Sequence, residues 1–376
     1  MGKKVCMFVW NSFTNDARVL REATALIEIG YSVKVVAIQD TNQKNLPQKE
    51  IINGFEVVRV KNYKGKLVSI LNIILIILQM IGHGLKEKYD IYHSHDLSGL
   101  IQGFVCSRFK RAKLIYDSHE VQTARIGTTG KRIFYYLEKF LIKKVDKVIM
   151  TTDMRADYVK NLYDIKKPTV VHNYPFYIDI NKLDKINLYN ICNIPPDEPI
   201  LLYQGGIQKD RGLEQIIEAI PKFKKGIVVF IGDGYLKPKI KKLVRDKKVE
   251  SRFRFIDKVP VNHLFKYTAN AYLGFQVLQN TTYNHYSTIS NKLLEYIMCE
   301  VPVIASDFPE IRKIVKGENC GVVIDPHFSE NIARAVNMLL DDENLIKILK
   351  QNCKKAKEKY NWNKEKIKLY KVYQNI

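Results

Sequence analysis

The sequence predicts an α/β protein in which one Rossmann-like parallel sheet occurs twice. Three observations carry this. Short apolar runs alternate with helix-period segments through 4–151, the alternation lapses between about 173 and 199, and it restarts at 200. Strands separated by helices imply βαβ units and hence parallel sheets. The duplication is one of architecture, with no residue-level repeat.

The run 4–9 has the short apolar character of a buried strand, and a polar loop follows over 11–16. Helical periodicity holds over 17–29 and closes at Gly30, the residue type that ends helices. Further strands are expected at 33–38, 55–60, 91–95, 114–117 and 147–151. Pro175, Pro195, Pro196 and Pro199 then punctuate short polar segments. That composition predicts a linker over 176–198 between domains at 1–175 and 199–357. In the second domain, strands are expected at 200–204, 227–231, 253–256, 271–276, 301–305 and 321–324. Helices are expected at 213–223, 236–245, 289–298 and 329–340, with charged helices after Glu343.

The 376 residues suffice for two cores, and the formal net charge of +22 favours anionic surroundings. Basic clusters such as Arg108, Lys110, Arg111 and Lys113 recur without an arginine-rich arm, which speaks against a nucleic-acid partner. Six cysteines with no CxxC spacing indicate neither a zinc site nor a disulfide framework, as in the cytoplasm. The apolar run at the N-terminus stops at Asn11, too soon for a secretory segment. The segment 67–81 falls short of the roughly 20 residues a spanning helix needs. Its polar members Ser69, Asn72 and Gln79 share one helical stripe, and Lys64, Lys66, Lys86 and Lys88 flank it. It reads as a buried helix or an interfacial one, the latter placing the protein at the inner face of an anionic membrane.

Parallel sheets bind ligands beyond the carboxyl ends of their strands, so the residues there are the candidates. Gly205 and Gly206 follow the strand at 200–204, with Lys209 and Arg211 before the next helix; glycine backbone, helix N-terminus and cations together suit a phosphate. Gly232 and Gly234 repeat the pattern after 227–231. Ser287, Ser290, Asn291 and Lys292 begin the helix at 289–298, and Glu295 lies in its early turns, where a carboxylate can accept both hydroxyls of a ribose. In the first domain, His95-Asp96 and His119-Glu120 each follow a strand, and Asp16 and Arg18 sit at the first strand–helix junction, where they either bind a polar acceptor or cap the helix. The histidines lack metal-ligand spacing, and neither a serine elbow nor a GxxxxGK[ST] loop occurs.

In this order, the pieces resemble family 4 of the retaining glycosyltransferases, a GT-B group with two Rossmann-like domains facing a central cleft. Asp16-Ala-Arg18-Val19, Tyr92-His-Ser-His-Asp96 and Tyr116-Asp-Ser-His-Glu120 resemble the family's first domain. Tyr203-Gln-Gly-Gly206 through Arg211-Gly212, Gly232-Asp-Gly234 and Asn291-Lys-Leu-Leu-Glu-Tyr296 resemble its donor domain. The resemblance implies that Glu295 binds the ribose of a nucleotide-sugar donor and that Arg211 neutralises its diphosphate. His119 would stabilise positive charge on the anomeric carbon. It further implies a UDP-linked donor, no metal, a hydroxyl acceptor on a lipid-linked or nascent surface glycan, and a C-terminal helix, 358–376, that returns to the first domain.

Two positions depart from the family pattern: Ser287 replaces a usual Glu, and Gly206 replaces a usual Arg. A GT-B sugar epimerase and a non-catalytic subunit of a transferase complex share enough of this pattern to stand as alternatives.

Overall fold

The computed structural model describes residues 2–41, 45–63, 69–124, 131–184 and 186–376. Lys64, Lys66 and the start of the 67–81 segment lie outside the described residues. The chain divides into two compact units, Met1–His172 with Glu365–Ile376, and Asn173–Lys364.

The first unit runs β1 (Lys4–Phe8), α1 (Ala17–Glu28), β2 (Ser32–Ile38), β3 (Lys49–Ile52), β4 (Phe55–Val60), α2 (Ser69–Leu85), β5 (Ile91–His95), α3 (Asp96–Lys110), β6 (Lys113–Ser118), α4 (Lys131–Ile142), β7 (Lys147–Met150), α5 (Asp153–Tyr163) and β8 (Thr169–Val170). Its sheet order is β3-β4-β2-β1-β5-β6-β7-β8, parallel except for β3 against β4. Strand order reverses direction between β1 and β5, which marks the crevice where such sheets bind ligands. Asp16 caps α1 by accepting from the Val19 N–H at 3.1 Å.

The second unit contains α6 (Leu188–Ile191), β9 (Ile200–Gln204), α7 (Leu213–Ala219), β10 (Ile227–Ile231), α8 (Lys237–Asp246), β11 (Phe253–Ile256), α9 (Val261–Thr268), β12 (Leu273–Gln276), α10 (Tyr283–Tyr286), α11 (Asn291–Met298), β13 (Val303–Ser306), α12 (Pro309–Val315), β14 (Gly321–Ile324), α13 (Ser329–Asp341) and α14 (Glu343–Ala356). Its all-parallel order, β11-β10-β9-β12-β13-β14, is that of a dinucleotide-binding sheet with the switch between β9 and β12. The last helix, α15 (Trp362–Gln374), begins in this unit and continues into the first.

Several expectations need correction. The stretch 176–198 is part of the second unit rather than a free linker, because Leu188, Cys192 and Ile194 bury in that unit's core. The helix expected over 213–223 stops at Ala219, and Pro221 begins a tighter turn since it has no N–H to continue the ladder. The short strands β3 and β8 were not anticipated. Of the two readings left open for the 67–81 segment, a buried helix and an interfacial one, α2 departs from the first by keeping an exposed apolar face: only Asn72, Ile76, Met80 and Gly84 are buried.

Candidate active site

In the second unit the switch point gathers the candidate donor residues. Gly205 follows β9 with φ +124°, and Gly232 follows β10 with φ +155°. A Cβ on Gly232 would stand 1.9 Å from the Gly205 carbonyl oxygen, so the two turns touch through bare backbone. Gly206 accepts from the Tyr203 hydroxyl at 2.8 Å, the Gly234 N–H donates to Asp233 at 2.9 Å, and the Lys209 N–H donates to the Tyr235 hydroxyl at 3.2 Å.

Lys292, in the first turn of α11, holds its ammonium 3.8 Å from the centre of the Tyr203 ring. Burial and the charge of Arg211 push its pKa well below the ordinary lysine range, with Glu295 opposing. Glu295 accepts from the Gln204 amide at 2.7 Å, and Thr268 in turn donates to Gln204 at 2.7 Å. The next residue, Tyr296, lies on β12 because Gly274 leaves the space: a Cβ there would meet the ring at 2.6 Å. Its hydroxyl donates to the Leu202 carbonyl at 2.9 Å and accepts from the Gln204 N–H at 3.1 Å. Two adjacent residues of α11 are thereby fixed to the end of β9.

Ser290 precedes α11 in extended conformation without capping it through its side chain, and Asn291 accepts from Asn173 at 3.1 Å. Ser287 is fully buried and donates to the Tyr283 carbonyl at 2.7 Å.

In the first unit a buried ionic network surrounds the ends of β5 and β6. Asp117 accepts two 2.9 Å hydrogen bonds from the guanidinium of Arg18, whose Nε also lies 3.0 Å from Glu22. His119 Nε2 stands 3.3 Å from Asp117 and 3.2 Å from His95 Nδ1. The His95 ring stacks on His93 at 4.3 Å, and His93 Nδ1 pairs with the Tyr373 hydroxyl of α15 at 2.7 Å. Asp96 accepts from the His119 N–H at 3.0 Å, and Arg155 donates to the His119 carbonyl at 2.6 Å. Glu120 is exposed beyond β6.

The network sorts protons by environment. Burial works against the charge of His119, but Asp96 and Asp117 outweigh it and raise its pKa to about 9. Burial drives His95 and His93 the other way, disfavouring their protonated forms. Burial also opposes ionisation of Asp117, yet Arg18 and His119 hold it well below the usual carboxylate range. Glu22, with less compensation, is raised by burial.

Arg18 and His95 therefore differ from the expected acceptor-side residues. Both are buried and spent on Asp117 and His119, and Asp16 serves as a helix cap. Asp117, Glu22, His93 and Tyr373 escaped the sequence reading as site residues. Period-two spacing places 93 with 95 and 117 with 119, each pair on one sheet face; for Glu22 and Tyr373 the sequence carried no signal. Among the described residues, Glu22, His93, His95 and Asp117 can bring ligand atoms within 4.8 Å of one another. As a metal site they fit poorly, because the Arg18 guanidinium already bridges both carboxylates.

Comparison with known proteins agrees with the two-unit fold. The family model for Glycosyltransferase Family 4 matches residues 17–174, and that for Glycosyl transferases group 1 matches residues 184–359. An uncharacterized glycosyltransferase of Methanocaldococcus jannaschii is 24% identical over 93% of this chain and 92% of its own length. A D-inositol 3-phosphate glycosyltransferase of Streptomyces bingchenggensis is 25% identical over 76% of this chain and 66% of its own. Sucrose-phosphate synthase from Thermosynechococcus elongatus superposes with a TM-score of 0.83 at 16% identity, covering 99% of this chain and 98% of that one. Anabaena Alr3699/HepE in complex with UDP and glucose superposes at 0.75 with 14% identity, each chain wholly covered. With two Rossmann-like units of the GT-B kind and both halves matched in sequence, the chain belongs to the family 4 glycosyltransferases.

Proposed function

We propose that the protein transfers a sugar, with retention at the anomeric carbon, from a UDP-linked donor to a hydroxyl of a lipid-linked or nascent surface glycan at an anionic membrane. The observation that carries the donor half is Glu295, a carboxylate held by Gln204 at the switch point beside the glycine turns, Arg211 and Lys292. A fixed carboxylate there suits the ribose diol, and the two cations with bare backbone suit a diphosphate. A phosphate arriving beside Lys292 would also relieve the cost of its buried charge. Anabaena Alr3699/HepE, which shares the fold, is described in complex with UDP and with UDP-glucose, which supports the choice of base.

The role of His119 follows from its charge. As an imidazolium at neutral pH it is unsuited to stabilising positive charge on an anomeric carbon. It is suited to donating a hydrogen bond to a donor-sugar hydroxyl or to the departing phosphate. No metal is needed in this reading, since Arg211, Lys292 and the start of α11 offset the leaving diphosphate. The phosphate then takes the acceptor proton as the new bond forms on the face it leaves.

The test is a thermal-shift panel of UDP, GDP, ADP and their sugars, followed by transfer from the preferred donor to membrane-extracted acceptors. Stabilisation of about 2.7 kcal/mol is expected at a hundredfold excess over Kd. Release of free modified sugar without acceptor would favour an epimerase. Absence of any nucleotide response would overturn the reading and favour a partner subunit.

A further inference from the structure

We infer that the outer surface of α2 and α4, joined by the end of α3, docks onto the anionic lipid of a bilayer; this deepens the membrane-acceptor reading and rests on it. The first observation is the orientation of α2. Its polar side is turned inward: Asn72 accepts from the Tyr63 N–H and donates to Asn62, while Gln79 bonds both backbone groups of Lys61. Its apolar side faces out. Ile70, Leu71, Ile73, Ile74 and Leu78 are 46–71% exposed, and Ile70, Ile74 and Leu78 repeat at four-residue spacing along one stripe. Water does not select that orientation for a helix of mean apolar character, whereas a hydrocarbon boundary does.

The second observation is that the neighbouring helices continue the pattern. α3 packs against both α2 and α4, and Phe104 meets Phe140 edge-to-face across the α3–α4 contact. Phe109, Ile133, Tyr136 and Phe140 are 57–76% exposed. Cations lie beside the aromatic rings: Arg108 over Phe104, Lys139 over Tyr135 and Lys144 over Phe140.

Charge decides the occupant. Among the described residues, the exposed charged side chains of α2, α3 and α4 are all basic. The two carboxylates are engaged elsewhere, Asp96 with the His119 N–H and Glu138 buried beneath the hydroxyls of Tyr116 and Tyr163. A second copy of the chain would set two basic rims against each other, on molecules already at +22. Anionic headgroups would neutralise the rim while the acyl boundary covers the aliphatic stripe. No helix among the described residues is long and apolar enough to cross a membrane, so α2 would lie in the plane of the interface.

The experiment is co-sedimentation with phosphatidylcholine vesicles, with and without phosphatidylglycerol, at low and high salt. It compares the wild-type chain, Ile70→Ser/Ile74→Ser/Leu78→Ser, Ile133→Ser/Phe140→Ser and the control Ile51→Ser, whose side chain is 68% exposed on β3. The wild type and the control are expected to bind phosphatidylglycerol vesicles, more weakly as salt rises. The two surface variants should lose on the order of tenfold or more in partitioning, with melting temperature and UDP response unchanged. Wild type left in the supernatant, or variants that bind as wild type does, would overturn the proposal. So would a dimer that the surface variants convert to monomer. Vesicle binding without any response to UDP supports this surface and overturns the donor reading instead.

Discussion

The hydroxyl of Tyr373 lies 2.7 Å from Nδ1 of His93, which ties α15 to the row of imidazoles that ends at His119. His93 is neutral and fully buried, so this hydroxyl is its chief polar anchor. Replacing Tyr373 by Phe is expected to cost about 1–2 kcal/mol of stability. It should also lower kcat while leaving UDP affinity, proposed for the other unit, unchanged. Denaturant unfolding, steady-state kinetics and nucleotide titration on one preparation check the split; a matching loss of UDP affinity would count against a positioning role.

The raised pKa of His119 has a defined sign. Its protonated form is favoured by folding, so its contribution is complete below the unfolded value near 6.5 and is lost as pH rises through about 9. The size is on the order of 3 kcal/mol. Unfolding free energies measured from pH 6 to 10 should fall across that window in the wild type. In His119→Gln the fall should be shallower. An NMR titration placing this imidazole near its ordinary pKa would contradict the network's electrostatics.

Glu22 adds to the same trend from a different cause. Burial raises its pKa, so folding favours the protonated carboxyl and the stability it provides declines as pH climbs past the ordinary glutamate range. Glu22→Gln is expected to flatten that decline and to be more stable than wild type at alkaline pH. Asp117→Asn should do the opposite, costing about 3–5 kcal/mol because it breaks the buried Arg18 pair and leaves Glu22 as the remaining carboxylate beside that guanidinium. Thermal melts of both variants at neutral and alkaline pH give the comparison.

Glu295→Gln is expected to weaken UDP binding by roughly 10- to 100-fold, the range of about 1.5–3 kcal/mol for hydrogen bonds to a charged group. Gln204→Leu leaves the carboxylate in place but removes its amide donor, and a smaller loss should follow. Calorimetric titration with UDP ranks the two. Equal affinity in wild type and Glu295→Gln would remove Glu295 from the ribose role.

Much of the fold was legible because parallel strands are buried on both faces and read as unbroken apolar runs. The runs at 200–204 and 227–231, buried throughout, coincide with β9 and β10 in this way, whereas β5 (91–95) carries His93, Ser94 and His95, β11 (253–256) carries Arg254 and β14 (321–324) is half-buried, so those three were legible from their alternation with helices. β3, with Lys49 and Glu50 on a half-exposed edge, lacks that character and went unseen. The candidate donor residues could be named from sequence since glycines and a carboxylate after strand ends carry local chemistry. In the first unit the chemistry is made by tertiary approach. Arg18 and Asp117 lie ninety-nine positions apart, and nothing near either one in sequence announces the pair.

Glu365–Ile376 belongs to the first unit, yet the whole of the second unit precedes it in the chain. During synthesis the early unit therefore waits with the seat of Tyr373 open, while the later unit can close its own core. Ribosome-bound intermediates should thus close the second unit's core before α15 seats on the first unit, whose sheet strands are all made earlier. Early termination just past Lys364 would leave a complete second unit attached to an unfinished first one.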